Sequence, residues 1–356
     1  MFRNVARTVA RSRHQARERR NPLDPDGIIA TTLTPDPIRA MDVGAAGGVA
    51  PQWRDYLGVM EVDCFEPDED ECAARKRESP ANVHWFPVAL AGTSGRRPFY
   101  VLNRQTGSSL YPPNDPVILE YSGRSYAGVR RVVEVECQSL RDFLSKYQRP
   151  VPELVKLDTQ GTELEILSSL TADQLDEVLC VETEVEFVEL YKGQPAFGDV
   201  HSYMREHGFR LLDLRTHRAY RNAGDEPHHY LRKYLNTATG SAALSAELVA
   251  GDALYFRDSA LQPSSGSMTD LIRNVCLLRL YRFYDLAFWL VERAAHERVI
   301  GASEAVELIR DIAGSAPKPA LSQRAGRAGD VARRALWLLG RDDHEVFWTR
   351  RRWPDQ

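Results

Sequence analysis

The segment Met41-Asp42-Val43-Gly44-Ala45-Ala46-Gly47-Gly48 constrains this chain more than any other. A short apolar run ends in a glycine-rich turn. A second apolar run, Val59 to Phe65, ends on the carboxylate of Glu66, twenty-two residues after Gly44. In a doubly wound α/β sheet this order builds a nucleoside pocket. The turn admits a ligand close to the backbone, and an acidic residue at the tip of the neighbouring strand takes the ribose hydroxyls.

The glycines discriminate between nucleosides. A GxGxxG fingerprint beginning at Gly44 needs glycine at 46 and 49, where the sequence has Ala46 and Val49. The second glycine of that fingerprint lets a pyrophosphate lie against the backbone. S-adenosylmethionine carries no phosphate, so the GxxGG spacing favours a methyl donor over NAD.

The rest of the chain is consistent with an α/β enzyme. A hydrophobic content of 43% and a charged content of 27% are ordinary for a globular protein, and 356 residues suffice for a large domain with an appendage. A net charge of −4 gives no reason to expect a nucleic-acid partner. No run of 18 apolar residues is present, and the N-terminus lacks a signal-peptide core. The five cysteines (64, 72, 137, 180 and 276) show no zinc-type spacing and read as buried, reduced thiols of a cytoplasmic protein.

Three regions are expected. Residues 1–27 form a basic arm, with seven arginines against Glu18 alone in the first 20 residues. It is compatible with a solvated arm, a transit peptide, or an amphipathic helix on a membrane surface or an acidic partner. Residues 28–258 alternate strand and helix, with strands expected at 39–43, 60–65, 83–89, 131–137, 153–158, 178–184, 209–214 and 252–257. Such alternation implies parallel pairing. Ser139-x-x-Asp142, Thr162-x-x-Glu165 and Thr171-x-x-Gln174 read as capping boxes. The stretch Thr93 to Arg130 reads as a functional loop or small insertion. Residues 259–356 form a helical extension. From Met268 to Ala313 it carries Ile272, Cys276, Leu280, Tyr284 and Phe288 every four residues, a pattern that calls for burial against the domain or against a second subunit in a homodimer.

The chemistry concentrates after the strand Glu153–Leu157. It ends on Asp158, and Thr159-Gln160-Gly161-Thr162-Glu163 then opens a helix. Ligands of open parallel sheets sit at the carboxyl ends of strands near the switch point, which is where Asp158 falls. It serves there either as a base or orienter, or as a helix cap. Glu163 is a second catalytic candidate, and Glu165 belongs to the cap. Glu182 and Glu184 lie two apart, on one face of the next strand. They could join Asp158 around Mg²⁺ or bond loop backbone.

Together, Asp42-Val43-Gly44-Ala45, Phe65-Glu66-Pro67-Asp68, Val155 through Glu163 and Glu184-Val185-Glu186-Phe187 with Leu190-Tyr191 resemble the FkbM-type family of S-adenosylmethionine-dependent O-methyltransferases, over roughly residues 40–258. Thr106-Gly107-Ser108-Ser109-Leu110-Tyr111 resembles a loop of that family. The resemblance implies a class I methyltransferase fold: a Rossmann-like, mostly parallel seven-stranded sheet. It also implies methylation of a hydroxyl on a sugar, glycan or secondary metabolite. The cofactor would lie against Asp42, Gly44, Ala45, Gly47, Glu66, Asp68 and Ala89, and the acceptor against Ser108, Ser109, His228 and His229. Two rivals remain open, an NAD-dependent oxidoreductase and a non-catalytic scaffold.

Overall fold

The computed structural model describes residues 22–121, 128–221, 245–263 and 266–315. The chain divides into two compact units, Ala30–Ser265 and a second made of Met1–Ile29 with Gly266–Gln356. The basic arm before residue 22 and the tail after 315 lie outside the described residues.

Unit Ala30–Ser265 begins within helix α1 (Ile28–Leu33) and runs into strand β1 (Ile38–Val43), strand β2 (Met60–Phe65), helix α2 (Glu69–Glu78) and strand β3 (Val83–Phe86). Strands β4 (Ala89–Ala91) and β5 (Gly95–Leu102), helix α3 (Asp115–Leu119), strand β6 (Val129–Ser139) and helix α4 (Leu140–Tyr147) follow. The second half holds strand β7 (Leu154–Leu157), helices α5 (Glu163–Ser168) and α6 (Ala172–Glu177), strand β8 (Cys180–Glu186), helix α7 (Phe197–Glu206) and strands β9 (Phe209–Ala219) and β10 (Glu247–Arg257).

Seven strands form one sheet in the order β3-β2-β1-β7-β8-β10-β9. The first five pair in parallel, whereas β10 runs antiparallel to both β8 and β9. The mostly parallel sheet expected of a class I methyltransferase is thus present. Its central strands are largely buried on both faces, with one face mainly apolar and the other carrying Asp42, Lys156, Glu182 and Glu184 toward the carboxyl ends. Met41, Val43, Val155, Leu157, Val181 and Val185 join a core that includes Phe143 of α4 and Met204 of α7. The order reverses between β1 and β7, which makes their carboxyl ends the switch point.

Four expectations need correction. The strand near 131–137 leaves the main sheet and centres a three-stranded sheet in the order β4-β6-β5. Its antiparallel partner β5 lies in the stretch Thr93–Arg130, so that stretch is an insertion with a strand of its own and not a loop. The expected strand 83–89 stops at Phe86, because Ala89 starts β4 and pairs with Cys137. Thr162 makes no side-chain cap, although Ser139 and Thr171 do, the latter as a full capping box.

The second unit carries helices α8 (Met268–Leu280), α9 (Tyr284–His296) and α10 (Ala302–Ser315). The four-residue apolar period therefore spans two helices, with Arg282 at φ 67 turning the chain between them. Every residue from Leu271 to Leu280 is buried, as the near all-round apolar pattern requires. Among the described residues no helix is long and apolar enough to cross a membrane. All five cysteines are buried and free.

Candidate active site

The turn after β1 is built by contact with the turn after β7. The Asp158 amide donates to the Val43 carbonyl at 3.1 Å, and the Ala45 amide donates to the Phe65 carbonyl at 3.1 Å. Gly44 sits at φ 84, and a Cβ there would fall 2.0 Å from the Asp158 carbonyl oxygen. Glycine is required by backbone crowding alone, before any ligand is considered. Gly47 is different: a Cβ there would meet nothing within 4 Å, so the space beside it is open.

Asp42 is 1% exposed and braces this turn from beneath. It accepts from the Ala50 amide at 2.8 Å and from Lys156 Nζ at 3.3 Å. Burial pushes its carboxyl up, and the Lys156 charge opposes that shift. Glu66, at the tip of β2, is 8% exposed. Its Oε1 accepts from the Asp68 amide at 2.9 Å, and its Oε2 carries no hydrogen bond among the described residues. Burial raises this carboxyl too. Asp68 caps α2, accepting from the Asp70 and Glu71 amides. Ala89 is buried in the small sheet beside Ala91, Leu110 and Cys137.

The turn Asp158–Thr162 is held from within by Glu163. That carboxylate is 3% exposed and accepts from the Thr159 amide at 2.7 Å, the Thr159 hydroxyl at 2.9 Å and the Gly161 amide at 2.9 Å. Burial raises its carboxyl. Glu165 does not join the cap. It accepts from Arg97 at 2.6 Å and from the Tyr111 hydroxyl, fastening α5 to the small sheet.

Gln160 is the residue that the sequence did not single out. It holds a left-handed φ of 61, unusual for a non-glycine residue. Its amide nitrogen donates to Asp158 Oδ1 at 3.0 Å and to Glu184 Oε2, and its Oε1 faces the Tyr191 hydroxyl at 2.8 Å. Its carbonyl accepts from Ser109 Oγ at 2.7 Å. Ser109 therefore fixes Gln160, while Ser108 accepts from the Leu102 amide at 3.2 Å and closes its own loop. Asp158 itself is exposed, and its Oδ2 carries no hydrogen bond among the described residues.

Of these groups, Gln160, Glu184 and Tyr191 border a cavity of about 350 Å³, within the usual range for small-molecule sites, while Asp158 is not part of its lining. Gln160, Glu184, Tyr191, Arg104, Thr106 and His217 supply its polar lining, and Leu102, Ile118 and Leu190 its apolar part. Burial raises the Glu184 carboxyl well above its ordinary value, helped by the charges of Asp158 and Glu186. His228 and His229 lie outside the described residues.

The expected metal site is not assembled. Glu182 is occupied by Gln52 Nε2 at 2.8 Å and Arg215 Nη2 at 3.3 Å, and the Gln160 amide stands between Asp158 and Glu184. Among the described residues no group of three or more His, Cys, Asp or Glu side chains could hold a metal ion.

A family model described as Methyltransferase FkbM domain matches residues 42–211. Among solved structures, a precorrin-6y C5,15-methyltransferase from Geobacter metallireducens GS-15 is similar at 10% identity and a TM-score of 0.28, over 65% of this chain and 86% of that one. A SAM-dependent methyltransferase from Agrobacterium tumefaciens is similar at 9% identity and a TM-score of 0.30, over 65% of this chain and 59% of that one. No curated protein matches the chain.

Proposed function

We propose, from the membership of residues 42–211 in the FkbM methyltransferase family, that this protein transfers a methyl group from S-adenosylmethionine to a hydroxyl of a sugar or secondary metabolite. The observation that carries the reading is the pairing of the Gly44 turn with Glu66 at the switch point. The donor set fits the cofactor. Glu66 keeps one carboxylate oxygen unbonded for ribose hydroxyls, and the open space beside Gly47 admits the ligand along the turn. Bound there, the cofactor supplies a methyl carbon already activated by its sulfonium.

The remaining work falls to the chain's own side chains. Asp42 and Glu163 are consumed in holding their turns, which keeps the two loops at fixed spacing. Asp158 offers Oδ2 at the carboxyl end of β7, where it would orient the acceptor hydroxyl. Gln160 restrains Asp158 and Glu184 through one amide and so limits how far either can swing. Holding reactants in line is worth about 7–11 kcal/mol in favourable cases, so rigidity of this kind matters for rate. The polar lining of the cavity supports a small hydroxylated acceptor.

Calorimetric titration with S-adenosylhomocysteine and with NAD tests the reading. Binding of the first and not the second is expected. Binding of NAD alone would replace the reading with an oxidoreductase, and binding of neither would favour a scaffold.

A further inference from the structure

Methylation of an alcohol needs a destination for the hydroxyl proton, and the cavity contains one that the motifs do not mark. We propose that His217 of β9 is the proton acceptor of the reaction, held in its working tautomer by Asp252 of β10. The proposal rests on the methyltransferase reading above.

The placement follows from strand register. Because β10 runs antiparallel between β8 and β9, Asp252 stands opposite Glu184 on one side and Arg215 on the other. Two residues along, on the same face, Ala250 stands opposite Glu186 and His217. Three strands thereby bring one polar row to the cavity, which His217, Ala250 and Glu184 all line.

Hydrogen bonding then sets the chemistry of the ring. Asp252 Oδ2 receives Arg215 Nε at 2.8 Å and lies 3.0 Å from His217 Nε2. Burial would raise the Asp252 carboxyl, but the His217 hydrogen bond and the Arg215 charge hold it below its ordinary value. A carboxylate can only accept, so Nε2 carries the ring proton and donates it. Nδ1 is then left with its lone pair and has no partner among the described residues. Arg215 is steadied in turn by Glu182 at 3.3 Å, so the ring rests on a chain of fixed groups.

The step balances without further reagents. The acceptor oxygen forms its bond to the methyl carbon as the carbon–sulfur bond breaks, its electron pair going to sulfur. The hydroxyl proton passes to Nδ1 of His217 and then to water. Asp252 stabilises the imidazolium formed in between.

The test combines the ring state with turnover. In the full-length protein with ¹⁵N-labelled histidine, long-range ¹H–¹⁵N spectra assigned through H217Q should show His217 as the Nε2–H tautomer, and D252N should release it into a mixture of tautomers. An Nδ1–H ring in the unaltered protein would overturn the proposal, because no lone pair would face the acceptor. With methyl glycosides as hydroxyl probes, H217Q should lower turnover by about 10²–10⁴-fold while binding S-adenosylhomocysteine as the unaltered protein does. An H217Q protein with unchanged turnover would also overturn it and leave Asp158 as the base. Failure of the unaltered protein to bind S-adenosylhomocysteine would instead defeat the parent reading, and the tautomer result would be unaffected by it.

Discussion

Replacing Gly44 with alanine should damage the fold before it damages binding. The added carbon would lie 2.0 Å from the Asp158 carbonyl oxygen, against a practical lower limit of 3.0 Å for such contacts. Relief requires the ends of β1 and β7 to separate by roughly an ångström, which endangers the 3.1 Å bond from the Asp158 amide to the Val43 carbonyl. Losing that bond costs about 1 kcal/mol. Holding alanine at a φ of 84 adds about 1–2 kcal/mol. The total, about 2–4 kcal/mol with residual crowding included, corresponds to a melting point lower by roughly 5–15 °C for a unit of this size. Gly47→Ala is the control, since its new methyl meets nothing within 4 Å. It should unfold like the unaltered protein in urea and lose affinity for S-adenosylhomocysteine. Equal urea midpoints for Gly44→Ala and the unaltered protein would refute the crowding argument. Unimpaired ligand binding by Gly47→Ala would refute the placement of the cofactor beside the turn.

Glu66→Ala should weaken S-adenosylhomocysteine binding by about 1.5–3 kcal/mol, the worth of hydrogen bonds to a charged group, as read by calorimetry. Asp158→Asn keeps an oxygen to accept from the Gln160 amide, so cofactor affinity should hold while the acceptor is oriented less well and turnover falls by about 10²-fold. Glu165 governs part of the acid response. Burial alone would raise its carboxyl, but the Tyr111 hydroxyl and Arg97 hold it below its ordinary 4.5. A carboxyl lowered in the folded state contributes stability that is complete above the unfolded value and is lost as pH falls through the folded one. Glu165→Gln should therefore flatten the decline in urea midpoint below about pH 4.5 and lower the midpoint at pH 7; an unchanged acid limb would remove Glu165 from that response.

What the sequence discloses here is what local chemistry controls. The strands β1 and β2, the turn between them and the positions of Glu66 and Asp158 follow from apolar runs ending at glycine and carboxylate. Strand β5 is hidden in a stretch, Thr93 to Arg130, whose Pro112-Pro113 and several Gly and Ser residues read as a functional loop or small insertion. Pro98 is tolerated within β5 because this is an edge strand whose one strand partner is β6, apart from the isolated bridge of Tyr100 to Ser109. Glu165 occupied a capping-box position and was drawn away by Arg97 and Tyr111, partners 68 and 54 residues distant. His228 and His229 are conspicuous as a pair, whereas His217 stands alone in the sequence with no motif to mark it. Its surroundings depend on the register of β9 against β10, which no spacing in the chain announces. Gln160 sits inside a recognised motif, yet its bonds to Glu184 and Tyr191 arise only once the neighbouring strand and loop are folded.

The three-stranded sheet has an evolutionary consequence. Its connecting loop carries Arg104, Thr106 and Gly107 to the cavity beside Gln160, and Ser109 pins that loop to Gln160 through a single hydrogen bond. The turn of β1 and the tip of β2 belong to a different sheet and share no strand with it. Under the proposed function, lengthening, shortening or exchanging the β5–β6 ribbon would reshape which hydroxyl is admitted without redrawing the Gly44–Glu66 pocket. On that reading, selection for a new acceptor would have a separate piece of chain on which to act, with the turn of β1 and the tip of β2 inherited intact.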